Sequence, residues 1–213
     1  MPDVRNVCCI MTDPSPRQIA LFGGSFNPPH VCHTLTTLWA LQTQAIDEVW
    51  WIPTFQHAFD KELVDFDQRM AMCELALSEI SRVRVDDIER NLGGESRTID
   101  TVKALEERNP NSQFWLLIGA DILGEVHRWK NWEGLMERVG LIVVGRQGYE
   151  RDDLNSYVAT STNVEDSLDL NLPDISSSRI RDSLNQSDYQ AVRPWIPRSV
   201  LDYISAHQLY RGS

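Results

Sequence analysis

Five short apolar runs, Ile19–Phe22, Val49–Ile52, Val83–Val85, Phe114–Ile118 and Leu141–Val144, recur along the chain with helical patterns between them. Most are apolar throughout rather than alternating, so they read as strands buried on both faces, the pattern of a parallel sheet covered by crossover helices. The intervening stripes agree. Leu35, Leu38, Trp39 and Leu41 recur at roughly helical spacing, Met70, Cys73, Leu77 and Ile80 do so in a helix from about Asp67, and Ile99, Val102 and Leu105 share a face within Thr98–Arg108. Later helices are expected after Ser176–Ser178, which can cap one, and from about Pro197, where Val200, Leu201 and Ile204 line up. The reading is α/β, a doubly wound parallel sheet of about five strands with helices on both faces. A chain of 213 residues can bury one core of this kind. Residues 1–17, with Pro2, Pro14 and Pro16, read as an N-terminal extension, and 18–213 as a single domain. A short strand is expected near Tyr157–Thr160, inside the polar, acidic stretch Asp152–Asn171.

Charge and cysteine usage narrow the class of function. The formal net charge of −11 opposes nonspecific binding to nucleic acid or to an acidic membrane surface, so an anionic ligand needs locally placed positive groups. No apolar stretch approaches the roughly 18 to 20 residues of a membrane span, and Val7–Met11 is too short for a signal-peptide core. A cytoplasmic protein is expected. Cys8, Cys9, Cys32 and Cys73 form no CxxC pair and no disulfide ladder, which suits a reducing compartment. His30, Cys32 and His33 are packed too closely to converge on zinc as a tetrahedral set, so no protein metal site is assigned.

The segment Gly23-Gly24-Ser25-Phe26-Asn27-Pro28-Pro29-His30-Val31-Cys32-His33 carries the chemistry. It follows the first apolar run, and its Gly-Gly pair reads as a turn with bare backbone amides. Pro28-Pro29 precede a helix opening near His30, which sets His30 and His33 on one face. Helix N-termini leave amides unpaired and carry partial positive charge, so an anion held there meets both amides and imidazoles. In open α/β sheets ligands sit beyond the carboxyl ends of the strands, where this loop, the Ile118-Gly119-Ala120-Asp121 turn and the Ser176–Arg181 segment can meet.

These residues together resemble a known family. Gly24-Ser25-Phe26-Asn27-Pro28-Pro29-His30 with His33, and Ile175-Ser176-Ser177-Ser178-Arg179-Ile180-Arg181, are similar to the paired HxGH and ISSTxIR motifs of a class of nucleotidyltransferases. Between them, Thr98-Ile99-Asp100-Thr101, Ile118–Asp121 and Trp129-Lys130-Asn131-Trp132-Glu133 resemble bacterial nicotinate-nucleotide adenylyltransferases in order and spacing. Val192–Pro197 and Tyr203 to Tyr210 resemble that family's C-terminal helix, so the likeness spans roughly residues 18–210.

The resemblance implies a Rossmann-like fold and transfer of AMP from ATP to nicotinic acid mononucleotide, giving deamido-NAD and pyrophosphate, with Mg2+ accompanying ATP. Its implied partners are ATP and a pyridine mononucleotide. His30, His33 and Arg181 take the catalytic roles, and Gly24, Ser25, Phe26, Gly119, Asp121, Ser177 and Ser178 complete the ATP site. Asp121 lies by the ribose, Thr98 by the carboxylate of the pyridine ring, and Trp129 stacks on that ring. On the residues alone, Asp121 also fits a cap of the next helix, the serine run also fits a simple N-cap, and Trp132 rivals Trp129. Lys61, after His57, reads as exposed with a phosphate role as its alternative, and Arg69 as a helix-surface partner of Asp65 or Asp67.

Two departures bear on substrate. The family has glycine where this chain has Cys32, beside the adenine. The family's Pro-Pro-His-Lys after the second strand is here Phe55-Gln56-His57-Ala58, with the lysine three residues farther on at Lys61. The alternatives are therefore another phosphorylated acceptor, such as nicotinamide mononucleotide, or a catalytically impaired nucleotide-binding module.

Overall fold

The computed structural model describes residues 15–56, 63–95, 97–145, 164–167, 172–173 and 175–211. Six strands form one sheet in the order β3-β2-β1-β4-β5-β6, every neighbouring pair parallel. They are β1 Arg17–Gly24, β2 Glu48–Pro53, β3 Val83–Val85, β4 Ser112–Gly119, β5 Gly140–Val144 and β6 Val164–Ser167. Five match the apolar runs; β6 is additional, because Val-Glu-Asp-Ser at an edge carries no apolar run to announce it. The expected strand near Tyr157–Thr160 lies outside the described residues, as do Cys8, Cys9, His57 and Lys61 and most of the expected N-terminal extension. Arg17, assigned to that extension, already pairs with Ser112 in the sheet.

The helices are α1 Val31–Thr43, α2 Phe66–Leu77, α3 Ile88–Leu92, α4 Thr98–Arg108, α5 Ala120–Leu123, α6 Trp132–Met136, α7 Ser177–Asn185, α8 Tyr189–Val192 and α9 Arg198–Ala206. Alternation along each strand divides the core between two sheet faces. Ile19, Leu21, Trp50, Ile52, Phe114 and Leu116 face one layer, with Ile99, Val102 and Leu105 of α4 against them. Ala20, Val49, Trp51, Leu117 and Ile142 face the other, with Ala40 and Leu41 of α1 and Cys73 of α2. A third cluster, Met72, Ile180, Leu184, Val200 and Ile204 among its members, fixes α7 and α9 onto α2. No helix among the described residues is long and apolar enough to cross a membrane.

Two helical faces differ from the sequence reading. The buried side of α1 runs through Cys32, Thr36, Thr37, Ala40 and Leu41, while Leu35 and Leu38 are 43% and 41% exposed. Threonine can line this face because Thr37 Oγ1 donates to the His33 carbonyl at 2.9 Å and accepts from Trp51 Nε1 at 2.8 Å. Arg69 is buried inside α2 instead of pairing with Asp65 or Asp67 on the surface. Its Nε donates to the Val64 carbonyl at 2.8 Å and its Nη1 to the Ser25 carbonyl at 2.9 Å. Burial pushes the guanidinium pKa down from its ordinary value.

The order 3-2-1-4 reverses direction of progression between β1 and β4, and a crevice opens there at the carboxyl ends of the strands.

Candidate active site

The first loop leaves the sheet later than its sequence suggests. Gly23 and Gly24 are the last residues of β1, in register with Ile52 and Pro53, and neither adopts a positive φ. The turn falls on Ser25–Asn27, with Phe26 in the left-handed region at φ 44°. Phe26 is held there by its ring, which stacks on Trp51 at 4.6 Å with planes 7° apart. A nearly buried aromatic thus fixes a conformation that glycine would reach without help. The Asn27–Pro28 peptide bond is cis.

His30 is the N-cap of α1 and is buried; His33 lies one turn on. Their ring centroids are 3.8 Å apart. His33 Nδ1 accepts from the His30 backbone N–H at 3.0 Å, so neutral His33 carries its proton on Nε2. The His33 ring also packs among Phe22, Phe26 and Trp51, at 5.8, 5.0 and 5.9 Å between centroids. That aromatic bed, with the bond from the His30 backbone N–H, orients the imidazole.

The late segment closes on the first loop. Ser176 caps α7, accepting from the Arg179 backbone N–H at 3.3 Å. Ser177 Oγ donates to the Pro28 carbonyl at 2.9 Å, and Arg181 Nη1 to the Asn27 carbonyl at 2.8 Å. Arg181 Nη2 reaches Ser178 Oγ at 3.2 Å. Ser178 and Arg179 are exposed, while Ser177 and Arg181 are half-buried. The two segments, about 150 residues apart in sequence, are joined side chain to backbone.

His33 and Gly119 line one cleft with Phe22, Cys32, Thr36, Val144, Leu172 and Pro173. Gly119 ends β4 and is the N-cap of α5, whose first turn carries half-buried Asp121. Cys32 is 4% exposed, and its thiol reaches the Pro173 carbonyl at 3.4 Å. Gly24, Ser25, Phe26, His30, His33, Gly119, Asp121, Ser177, Ser178 and Arg181 are therefore all carried on three segments around the strand ends.

Thr98 and Trp129 lie on neighbouring elements to one side. Thr98 opens α4, and Lys130 Nζ pairs with Asp100 Oδ2 of the same helix at 3.4 Å. Trp129 and Trp132 are both half-buried and meet edge to face at 5.7 Å and 86°. The turn between them is made by Asn131 at φ 52°. Three residues with no site role in the sequence reading also serve the loop: Asn27, Trp51 and Tyr210. Asn27 is buried, and its Oδ1 accepts from Tyr210 Oη at 2.8 Å and from the Val64 backbone N–H at 3.3 Å. An asparagine after a Gly-Gly-Ser-Phe turn was the available signal for such a hub, since Asx side chains commonly bond loop backbone.

Comparison with known proteins bears on this arrangement. Residues 21–183 match the model of the Cytidylyltransferase-like family. A protein of Anaeromyxobacter dehalogenans strain 2CP-C, described as a "probable nicotinate-nucleotide adenylyltransferase", is 42% identical over 199 residues, covering 92% of this chain and 98% of its own. A relative of the same description in Myxococcus xanthus is 34% identical, covering 91% and 94% respectively. Among solved structures, the Plasmodium falciparum nicotinic acid mononucleotide adenylyltransferase complexed with NaAD superposes with a TM-score of 0.77 over 91% of this chain and 97% of that one. At 24% identity, that likeness establishes the shared fold.

Proposed function

The chain belongs to the cytidylyltransferase-like family and, within it, to the nicotinate-nucleotide adenylyltransferases, and from that membership we infer that it transfers AMP from ATP to nicotinic acid mononucleotide in NAD biosynthesis. A phosphate oxygen of the mononucleotide attacks the α-phosphorus of ATP in line. The bond from that phosphorus to the β-phosphate oxygen breaks, and its electron pair leaves with pyrophosphate. The nucleophile arrives already ionised, so the protein need supply no covalent group and no general base. Its task is to bring two anions together and to stabilise charge on the transferred phosphate.

The observation that carries the site assignment is the junction of the His30–His33 pair with Ser177 and Arg181 through the Asn27-Pro28 backbone. His30 and His33 meet the α- and β-phosphates beside the Gly24–Phe26 backbone. The α7 start, with Ser177 and Ser178, takes the outer phosphates, and Arg181 adds charge from behind the loop. Ser177 contributes chiefly its backbone amide, because its hydroxyl hydrogen is engaged by Pro28. Gly119 and Asp121 receive the ribose, Thr98 the pyridine carboxylate, and Trp129 the ring, with Trp132 as its edge-to-face support. Among the described residues no three His, Cys, Asp or Glu side chains gather as metal ligands. ATP is taken as its magnesium complex, the metal entering with the phosphates as part of the substrate and screening their charge. Incubation with ATP, magnesium and nicotinic acid mononucleotide should give deamido-NAD and pyrophosphate in equal amounts; consumption of ATP without deamido-NAD would reject the assignment.

A further inference from the structure

The carbonyl oxygens of the first loop are a hazard for a phosphate site, since any that faced the ligand would repel it. Here the carbonyls of Ser25, Asn27 and Pro28 are engaged by Arg69, Arg181 and Ser177 respectively. Two of those donors are cationic. The side chain at the centre of this arrangement is Asn27, and its Oδ1 is gripped from the other direction by Tyr210, which follows α9 and lies 183 positions away in sequence. Tyr210 is placed for this by its own backbone, at φ 59°, and by Leu209, which is buried in the third core cluster. Burial pushes the Tyr210 phenol up from its ordinary value, so it remains a donor through the working pH range.

We propose that Tyr210 is a positioning residue for ATP, acting through Asn27 to hold the Ser25–Pro28 loop in its phosphate-binding form. This rests on the adenylyltransferase reading for the identity of the ligand. Without the phenol, buried Asn27 Oδ1 loses its 2.8 Å donor, and the peptide that Arg181 grips can shift. The effect falls on the triphosphate side, because Thr98 and Trp129 are carried on other elements.

The test compares the full chain with Tyr210→Phe, which removes one oxygen and keeps the ring. Calorimetry with a non-hydrolysable ATP analogue and magnesium should show Kd raised about three- to tenfold, the range expected for one buried hydrogen bond. The KM for ATP should rise in parallel and the thermal midpoint should fall by about 2–4 °C, while the KM for the mononucleotide stays near that of the parent. Tyr203→Phe, on the preceding helix α9 and stacked on His207, should leave all four unchanged. An unaltered analogue Kd in Tyr210→Phe overturns the proposal, as does a loss shared equally by both substrates. If the parent binds the analogue but makes no deamido-NAD, the functional reading fails while the Kd comparison still decides the role of Tyr210. A parent that does not bind the analogue overturns both.

Discussion

Arg181 donates from Nη1 to the backbone carbonyl of Asn27 at 2.8 Å, tying α7 to the loop after β1 across 154 positions of sequence. The same guanidinium reaches Ser178 Oγ at 3.2 Å, so its planar fork spans the two halves of the proposed ATP site.

Charge alone cannot reproduce that span. Lysine keeps the cation but presents a single nitrogen, so Arg181→Lys should lower kcat/KM for ATP by about ten- to hundredfold, the scale of charge-assisted hydrogen bonds. Steady-state kinetics with ATP varied would check this; a variant at parental efficiency would show that only the charge matters.

Cys32 occupies the second position of α1, where its thiol reaches the Pro173 carbonyl and its side chain forms part of the cleft wall beside His33 and Gly119. Cys32→Gly should widen the cleft and lower the KM for ATP by at least about twofold. It should also cost about 0.5–1 kcal/mol of stability through the helix. An unchanged or raised KM would mean the thiol does not crowd the nucleotide.

Much of this fold was legible in sequence for one physical reason: strands buried on both faces are apolar without interruption, and four of the five anticipated runs have that character. Thr98–Arg108 was legible too, because Ile99, Val102 and Leu105 mark a single face and the helix has those limits. What stayed hidden was set by tertiary contact. Arg69 reads as a surface residue between acidic neighbours, and only the approach of the Ser25 carbonyl explains its burial. Phe26 reads as a residue following a Gly-Gly turn, yet it is the left-handed residue, stabilised by stacking on Trp51. Both motif segments were recognisable by pattern, whereas their junction through Asn27 and Pro28 depends on atoms that no spacing reveals.

Gly140 shows how closely the sheet packs away from the site. A Cβ there would lie 2.2 Å from the Trp115 ring, which is held by a 2.8 Å hydrogen bond from Nε1 to Gln18 Oε1. Gly140→Ala should therefore destabilise the protein by about 1–3 kcal/mol through overpacking. Urea denaturation would read the loss directly, and a midpoint equal to the parent's would contradict it.

Two buried acids set the alkaline limit. Burial raises the Cys73 thiol well above its ordinary 9.0 and the Tyr210 phenol above its ordinary 10.0, with Arg69 opposing the shift in each case. For a group whose folded pKa is raised, the contribution is complete below the unfolded value and is lost as pH climbs toward the folded one. Stability should therefore decline from about pH 9 upward, approaching about 1.4 kcal/mol per pH unit for each group ionised only in the unfolded chain. Denaturation midpoints across this range should fall less steeply in Cys73→Ala than in the parent; identical slopes would remove Cys73 from the account.

In the proposed reaction the His30–His33 pair stabilises the charge that develops as AMP passes from ATP to nicotinic acid mononucleotide. Single-turnover formation of deamido-NAD by the parent and by His30→Ala, both saturated with magnesium–ATP and the mononucleotide, tests it most directly. Loss of a preorganised charge-stabilising donor predicts a fall of at least about a hundredfold in the rate of the chemical step. Formation of deamido-NAD by His30→Ala at the parental rate would contradict it.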